Sequence, residues 1–261
     1  MKRFAVIGYP ITHSLSPIFH KEIYRQLEIN ASFEKFHVKP DDLHSFMNSN
    51  KLDGFNVTIP YKQAIIPFLN DLDESAKTIN AVNCVHNQKG YNTDWIGFTQ
   101  AMKINDIELK EKHCSILGAG GAARAVAYSL IEAGVKSIFI QNRTQENADK
   151  LLKWIDSISP DNSSHETADV IINCTPLGMW PDTESMPNIK INPGQVLADT
   201  IYNPLETAWL NTGKELGAKT IGGLDMFIAQ GLASADIWFD KNFSEIIKLE
   251  PIKKVLKREL C

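Results

Sequence analysis

Short runs of apolar residues alternate with longer stretches of helical spacing from one end of the chain to the other, which is the pattern of an α/β protein with parallel sheets. In the first third the runs predict strands over residues 4–8, 32–38, 54–58 and 81–86, with helices after Ser16, Pro40 and Pro60. A helix over 95–104 leads into a second series, with strands near 114–117, 137–140, 170–173 and 196–198. Helical patterns over 226–239 and 243–256 follow, and their apolar faces need a partner surface. Packed back against the first unit, they make it discontinuous: 1–97 with 224–261 around an inserted 98–223. The polar, proline-rich segment 176–193 reads equally as a domain boundary or as a mobile loop beside a ligand.

At 261 residues the chain is long enough for two domains, and a formal charge of −4 is no footprint for a polyanion, so nucleic acid is not an expected partner. No apolar run reaches the roughly 20 residues needed to span a bilayer, and no signal peptide is recognised, so the expectation is a soluble, cytoplasmic protein. Cys84, Cys114, Cys174 and Cys261 are scattered, without CxxC or HExxH spacing. Reduced thiols are expected, and no metal.

The clearest motif follows the strand near 114–117. Gly118-Ala119-Gly120-Gly121-Ala122-Ala123 then enters a helical pattern, which fits GxGxxG/A in its strand–turn–helix context. Gly118 permits the tight turn, Gly120 lets a pyrophosphate reach backbone N–H groups, and Ala123 allows close helix–strand packing. About 20 residues on, where an NAD site offers a carboxylate to the ribose, stand Asn142, Arg143 and Thr144. A guanidinium there suits a 2′-phosphate, which points to NADP. The rival reading makes Asn142 or Thr144 a helix cap and Arg143 a solvated charge.

Four segments of the first unit hold more small polar groups than packing needs: 13–17 (HSLSP), 56–62 (NVTIPYK), 81–83 (AVN) and 92–94 (NTD). With GAGGAARA, NRT, residues 173–179 (NCTPLGM), 202–204 (YNP) and 223–230 (GLDMFIAQ), they resemble the NADP-dependent, biosynthetic shikimate dehydrogenase family over nearly the whole chain. The resemblance implies an N-terminal α/β substrate domain with a mostly parallel sheet, plus a Rossmann-like, doubly wound dinucleotide-binding domain. It also implies reversible NADPH reduction of 3-dehydroshikimate to shikimate, a step of aromatic amino-acid biosynthesis, by a monomer or homodimer.

Residue by residue, the resemblance makes Lys62 catalytic with Asp94 as its acidic partner, and makes Ser14 and Ser16 the clamp on the substrate carboxylate. Thr58, Asn83 and Gln230 match residues bonding ring hydroxyls and carboxylate, and Tyr202 lies at the substrate edge. Thr175, Thr200 and Gly223 line the ribose and nicotinamide; Gly118, Ala119, Gly120, Gly121, Ala122, Asn142, Arg143 and Thr144 grip the rest of the cofactor. Each residue also has an ordinary structural reading. Ser16 caps a helix that has Pro17 at its start, Lys62 sits exposed in a helix's first turn, and Asp94 caps the helix that follows. Asn147 stands where many relatives have a second phosphate-binding arginine. The rival activities are an NAD-dependent quinate/shikimate dehydrogenase and a catalytically silent NADP-binding protein.

Overall fold

The structure, a computed structural model, describes residues 1–159 and 167–260, so Cys261, expected to be a reduced thiol, lies outside the described residues. The chain divides into two compact units, Met1–Thr93 with Ile228–Glu259, and Asp94–Phe227.

The first unit begins with β1 (Lys2–Gly8), α1 (Ser16–Gln26), β2 (Ala31–His37), α2 (Leu43–Ser49) and β3 (Gly54–Val57). β4 (Asp71–Leu72), α3 (Glu74–Ile79), β5 (Cys84–His86) and β6 (Lys89–Tyr91) follow. Its sheet has the order β2-β1-β3-β5-β6-β4. β1 pairs in parallel with β2 and β3, and β4 with β6, while β5 runs antiparallel to both β3 and β6, so the sheet is mostly parallel, as expected. β5 and β6 form a hairpin whose two-residue turn, Asn87 and Gln88, has φ of 49° and 60°, both in the left-handed region that a type I′ turn demands. The helix expected after Pro60 is replaced by turns and a short 3₁₀ segment, Ile66–Phe68. Pro67 is the reason, since in an α-helix its ring would clash with the carbonyl of Gln63.

Alternation sorts the strand residues onto two faces. Ala5, Ile7, Phe55 and Val57 pack with Leu43, Met47, Tyr61, Ile65 and Ala76 on one side. On the other, Phe4 stacks on Trp238 at 4.7 Å and His20 on Phe33 at 4.2 Å. The Trp238 indole N–H donates to the Val85 carbonyl at 3.1 Å.

The second unit contains α4 (Asp94–Ile104), β7 (His113–Leu117), α5 (Gly121–Glu132), β8 (Ser137–Gln141), α6 (Gln145–Ile158), β9 (Val170–Asn173), β10 (Val196–Asp199), α7 (Ala208–Glu215), β11 (Lys219–Ile221) and the start of α8 (Leu224–Phe239). All its strand pairs are parallel, in the order β11-β10-β9-β7-β8. Ile116, Ile138, Val170 and Ile172 meet α4, α5 and α6 on one face; Leu117, Ile171 and Leu197 meet Trp209 and Leu210 of α7 on the other. That is a doubly wound layer structure. The segment 176–193 lies inside this unit, with Ile189 and Ile191 packed on the α7 side.

The expected single tail helix is two, α9 (Phe243–Ile246) and α10 (Leu249–Lys257). Pro251 cannot follow Ile247 one helical turn on, so the first helix stops and a new one starts with the proline in its first turn. Among the described residues no helix is long and apolar enough to cross a membrane.

Candidate active site

In the first unit the polar motifs gather at the carboxyl ends of β1 and β3, where open α/β sheets expose their binding surface. Thr58 follows β3 directly, and its N–H donates to Ile7 O at 2.9 Å. Gly8, ending β1, has no room for a side chain, because a Cβ there would lie 2.5 Å from Thr58 Cγ2. Lys62, half-buried, is held through its carbonyl, which accepts from Val82 N at 2.7 Å. Asn83 is anchored from both strands, its carbonyl accepting from Val57 N at 2.8 Å and its N–H donating to Tyr91 O at 3.0 Å. Its side-chain Nδ2 donates to Gln230 Oε1 at 3.3 Å, which brings α8 to the same place. Thr58, Lys62, Asn83 and Gln230 therefore share one end of the sheet.

Ser14 and Ser16 lie on the turn into α1. Ser16 is the first helical residue rather than its cap, and no side chain caps that N-terminus. Instead Ser14 Oγ accepts from Ser16 N at 3.3 Å and donates to Ser16 Oγ at 3.1 Å, so the two hydroxyls sit together over helix N–H groups. Such an end favours an anion.

In the second unit the strand order reverses between β7 and β9, and the glycine loop leaves β7 at that switch point. Gly118 has φ +108°, and a Cβ on it would lie 3.0 Å from the Cys174 carbonyl oxygen just past β9. Gly120 caps α5, and a Cβ on it would meet nothing within 4 Å. The loop thus leaves open space over the first N–H groups of α5, which begins at Gly121, while Ala123 is fully buried against the sheet. Ala119 and Ala122 flank this opening, half-buried. At the neighbouring strand end, Asn142 Nδ2 donates to Thr144 O at 2.8 Å, closing a turn with Arg143 exposed between them. Thr144 occupies the cap position of α6 without a side-chain capping bond.

A second group in this unit hangs on two buried residues to which the sequence reading assigns no role. Asn173 Oδ1 accepts from both the N–H and the hydroxyl of Thr175, at 3.0 and 2.6 Å. Thr200 donates its N–H and its hydroxyl to the Asn173 carbonyl, at 3.0 and 2.9 Å. Asn173 Nδ2 donates to the Asp199 carboxylate, which also accepts from Ile201 N and the Thr207 hydroxyl, each at 2.9 Å. Gly223 N donates to Ile201 O, and a Cβ there would lie 2.6 Å from Thr200 and Ile201 carbonyl oxygens. Tyr202 rests on Phe227 at 4.5 Å between ring centroids. Thr175, Thr200, Tyr202 and Gly223 are thereby brought together. Asp94, buried, is the first residue of α4 rather than its cap. The available signal for Asn173 and Asp199 was a polar residue closing an otherwise apolar strand run.

Two family models match the chain: a shikimate dehydrogenase substrate-binding domain over residues 6–85 and a shikimate/quinate 5-dehydrogenase model over residues 99–177. The shikimate dehydrogenase (NADP(+)) of Moorella thermoacetica is 40% identical over 255 residues, covering 90% of this chain and 86% of the relative. The chain belongs to the shikimate dehydrogenase family. Among solved structures, a shikimate dehydrogenase in complex with NADP+ superposes with a TM-score of 0.91 at 35% identity, covering 100% of this chain and 96% of the other. The Thermus thermophilus member of the family, in complex with NADP(H) and shikimate, gives 0.84 at 30% identity, with 100% of both chains covered.

Proposed function

We propose that this chain catalyses the reversible NADPH-dependent reduction of 3-dehydroshikimate to shikimate, with Lys62 and Asp94 as the proton-handling residues. The observation that carries the reading is 40% identity to a curated NADP-dependent relative over 90% of the chain, with the polar motifs gathered at one sheet end. The residues of the second unit fit the dinucleotide. The open space at Gly120 admits a pyrophosphate that a side chain would obstruct, and Arg143 stands at the strand end where no carboxylate repels a 2′-phosphate. Gly118, Ala119, Gly121, Ala122, Asn142 and Thr144 complete the grip on that half, and Thr175, Thr200 and Gly223 hold the nicotinamide half.

When bound, the reduced dinucleotide supplies the hydride. The substrate carbonyl oxygen then needs a proton, and the Lys62 ammonium donates it while stabilising the growing negative charge. In the oxidative direction the neutral Lys62 amine takes the hydroxyl proton. Asp94 is the acidic residue of this proton-handling pair. Ser14 and Ser16 hold the carboxylate; Thr58, Asn83, Gln230 and Tyr202 position the hydroxylated ring. The protein works in the cytoplasm as a monomer or homodimer, where thiols stay reduced.

The test is reduced-nicotinamide absorbance with purified protein and all four pairings of shikimate or quinate with NADP+ or NAD+. Rapid turnover of shikimate with NADP+ is expected; quinate turnover with NAD+ at equal efficiency, or no shikimate turnover by folded protein, overturns the reading.

A further inference from the structure

A buried hydrogen-bond relay in the first unit has its polarity fixed at both ends. At one end the Thr93 backbone N–H, which can only donate, lies 2.6 Å from Asn83 Oδ1. At the other, the Gln230 backbone carbonyl, which can only accept, takes the Ser234 hydroxyl proton at 3.0 Å. Everything between follows. With its proton committed, Ser234 Oγ accepts from Asn56 Nδ2 at 2.9 Å and from Thr93 Oγ1 at 3.1 Å, the Thr93 hydroxyl also facing Asn83 Oδ1 at 3.3 Å. Thr93 Oγ1 accepts in turn from Asn83 Nδ2 at 2.9 Å, and the same Nδ2 faces Gln230 Oε1 at 3.3 Å. The Gln230 carboxamide therefore turns its oxygen toward Asn83 and its NH₂ the other way.

Thr93 and Ser234 are completely buried, Asn83 and Asn56 nearly so, and a satisfied polar network in such surroundings permits one arrangement. We infer that Ser234 and Thr93 are positioning residues for substrate recognition, holding Asn83 and Gln230 in the single amide orientation in which Gln230 meets a substrate oxygen as a hydrogen-bond donor. This rests on the reading above that Asn83 and Gln230 bind the ring hydroxyls or carboxylate. The group they select is an acceptor oxygen. Loss of the Thr93 hydroxyl takes from Asn83 Nδ2 one of its two acceptors, and loss of the Ser234 hydroxyl takes theirs from Thr93 Oγ1 and Asn56 Nδ2, so the Thr93 N–H alone is left to align the two amides.

Steady-state kinetics of Ser234→Ala and Thr93→Val, with Thr93→Ser as the conservative control, test the inference. Each of the first two raises the shikimate KM about tenfold, equal to about 1.4 kcal/mol, and leaves kcat and the NADP+ KM within about twofold. Thr93→Ser, which keeps the hydroxyl, returns the shikimate KM to within about twofold of wild type. Wild-type shikimate KM in both hydroxyl-deleted variants overturns the inference. So do equal losses for shikimate and NADP+ accompanied by a lower unfolding temperature, which would leave the hydroxyls as packing only. Should Thr93→Val not fold, Ser234→Ala decides alone, since it removes one oxygen and adds no bulk. Wild-type turnover separates the two readings: with shikimate oxidised normally, the KM values judge the relay alone, whereas no turnover overturns the functional assignment and this inference with it.

Discussion

Asp199 Oδ2 accepts the Thr207 hydroxyl at 2.9 Å, tying the end of β10 to the cap of α7, while Thr207 Oγ1 itself accepts from Leu210 N. With Asn173 on the same carboxylate, this contact fixes the loops that carry Thr175, Thr200 and Tyr202. Asp199→Ala leaves several buried donors unsatisfied, at a cost of about 1–3 kcal/mol. Chemical denaturation measures that loss, and the NADP+ KM rises with it if the loops serve the cofactor.

The same carboxyl carries a pH signature. Burial pushes it up to about 6, outweighing the hydrogen bonds from Ile201, Thr207 and Asn173 that favour its charged form. The folded chain then holds the proton more tightly than the unfolded chain does. This contribution is fully present below the ordinary carboxyl range and is lost as pH rises through about 6. Wild type should therefore lose stability relative to Asp199→Asn between pH 4 and pH 7, by up to about 3 kcal/mol, in unfolding curves taken across that range.

His20 titrates with the opposite sign. Enclosed by Phe19, Phe33 and Trp238, it is lowered to about 3 by burial, the hydrogen bond to Asn56 opposing only in part. It stays neutral in the folded chain, so its contribution is present above the ordinary histidine value and is lost as pH falls from there toward 3. His20→Phe should flatten the acid limb of the stability profile below about pH 6.5, measured as unfolding midpoint against pH.

The two loop glycines separate folding from binding. Gly118→Ala forces a side chain onto the Cys174 carbonyl at positive φ and costs stability, about 1 kcal/mol or more. Gly120→Ala meets nothing in the protein, so the unfolding temperature holds while the NADP+ KM rises at least about tenfold. Equal effects of the two on both readouts would contradict the assignment of Gly120 to the pyrophosphate.

Lys62→Ala removes the proposed proton donor. A fall in kcat of about 10²- to 10⁴-fold is expected, with cofactor binding by fluorescence unchanged. Arg143→Ala should raise the KM for NADP+ and not for NAD+, because only the former carries the 2′-phosphate.

Long, periodic elements were legible in the sequence. β9 was predicted residue for residue, and α4, α8 and the glycine loop fell within a residue or two, because their apolar spacing and turn residues agree. The very short strands β4 and β6 were not: two or three residues such as Lys89, Gly90 and Tyr91 carry no alternation, and only pairing makes them strands. Pro67 and Pro251 broke two expected helices. Of the site, the polar motifs were readable as residue types at strand and helix ends, whereas Asn56, Thr93, Asn173, Asp199 and Ser234 were given no role. Their work is done through partners far away in sequence, and residue type alone does not name a partner.

The hairpin of β5 and β6 extends the reach of the site well past its own atoms. Asn83 and Thr93 meet because the ladder between them runs in a single register, Cys84 opposite Tyr91 and His86 opposite Lys89. That register is set at the distal tip by Asn87 and Gln88. One residue inserted there would slip β6 by a step against β5, which β3 also holds, and carry Thr93 away from the Asn83 carboxamide. A surface turn with no chemistry of its own thus acts as the gauge from which the recognition groups take their alignment.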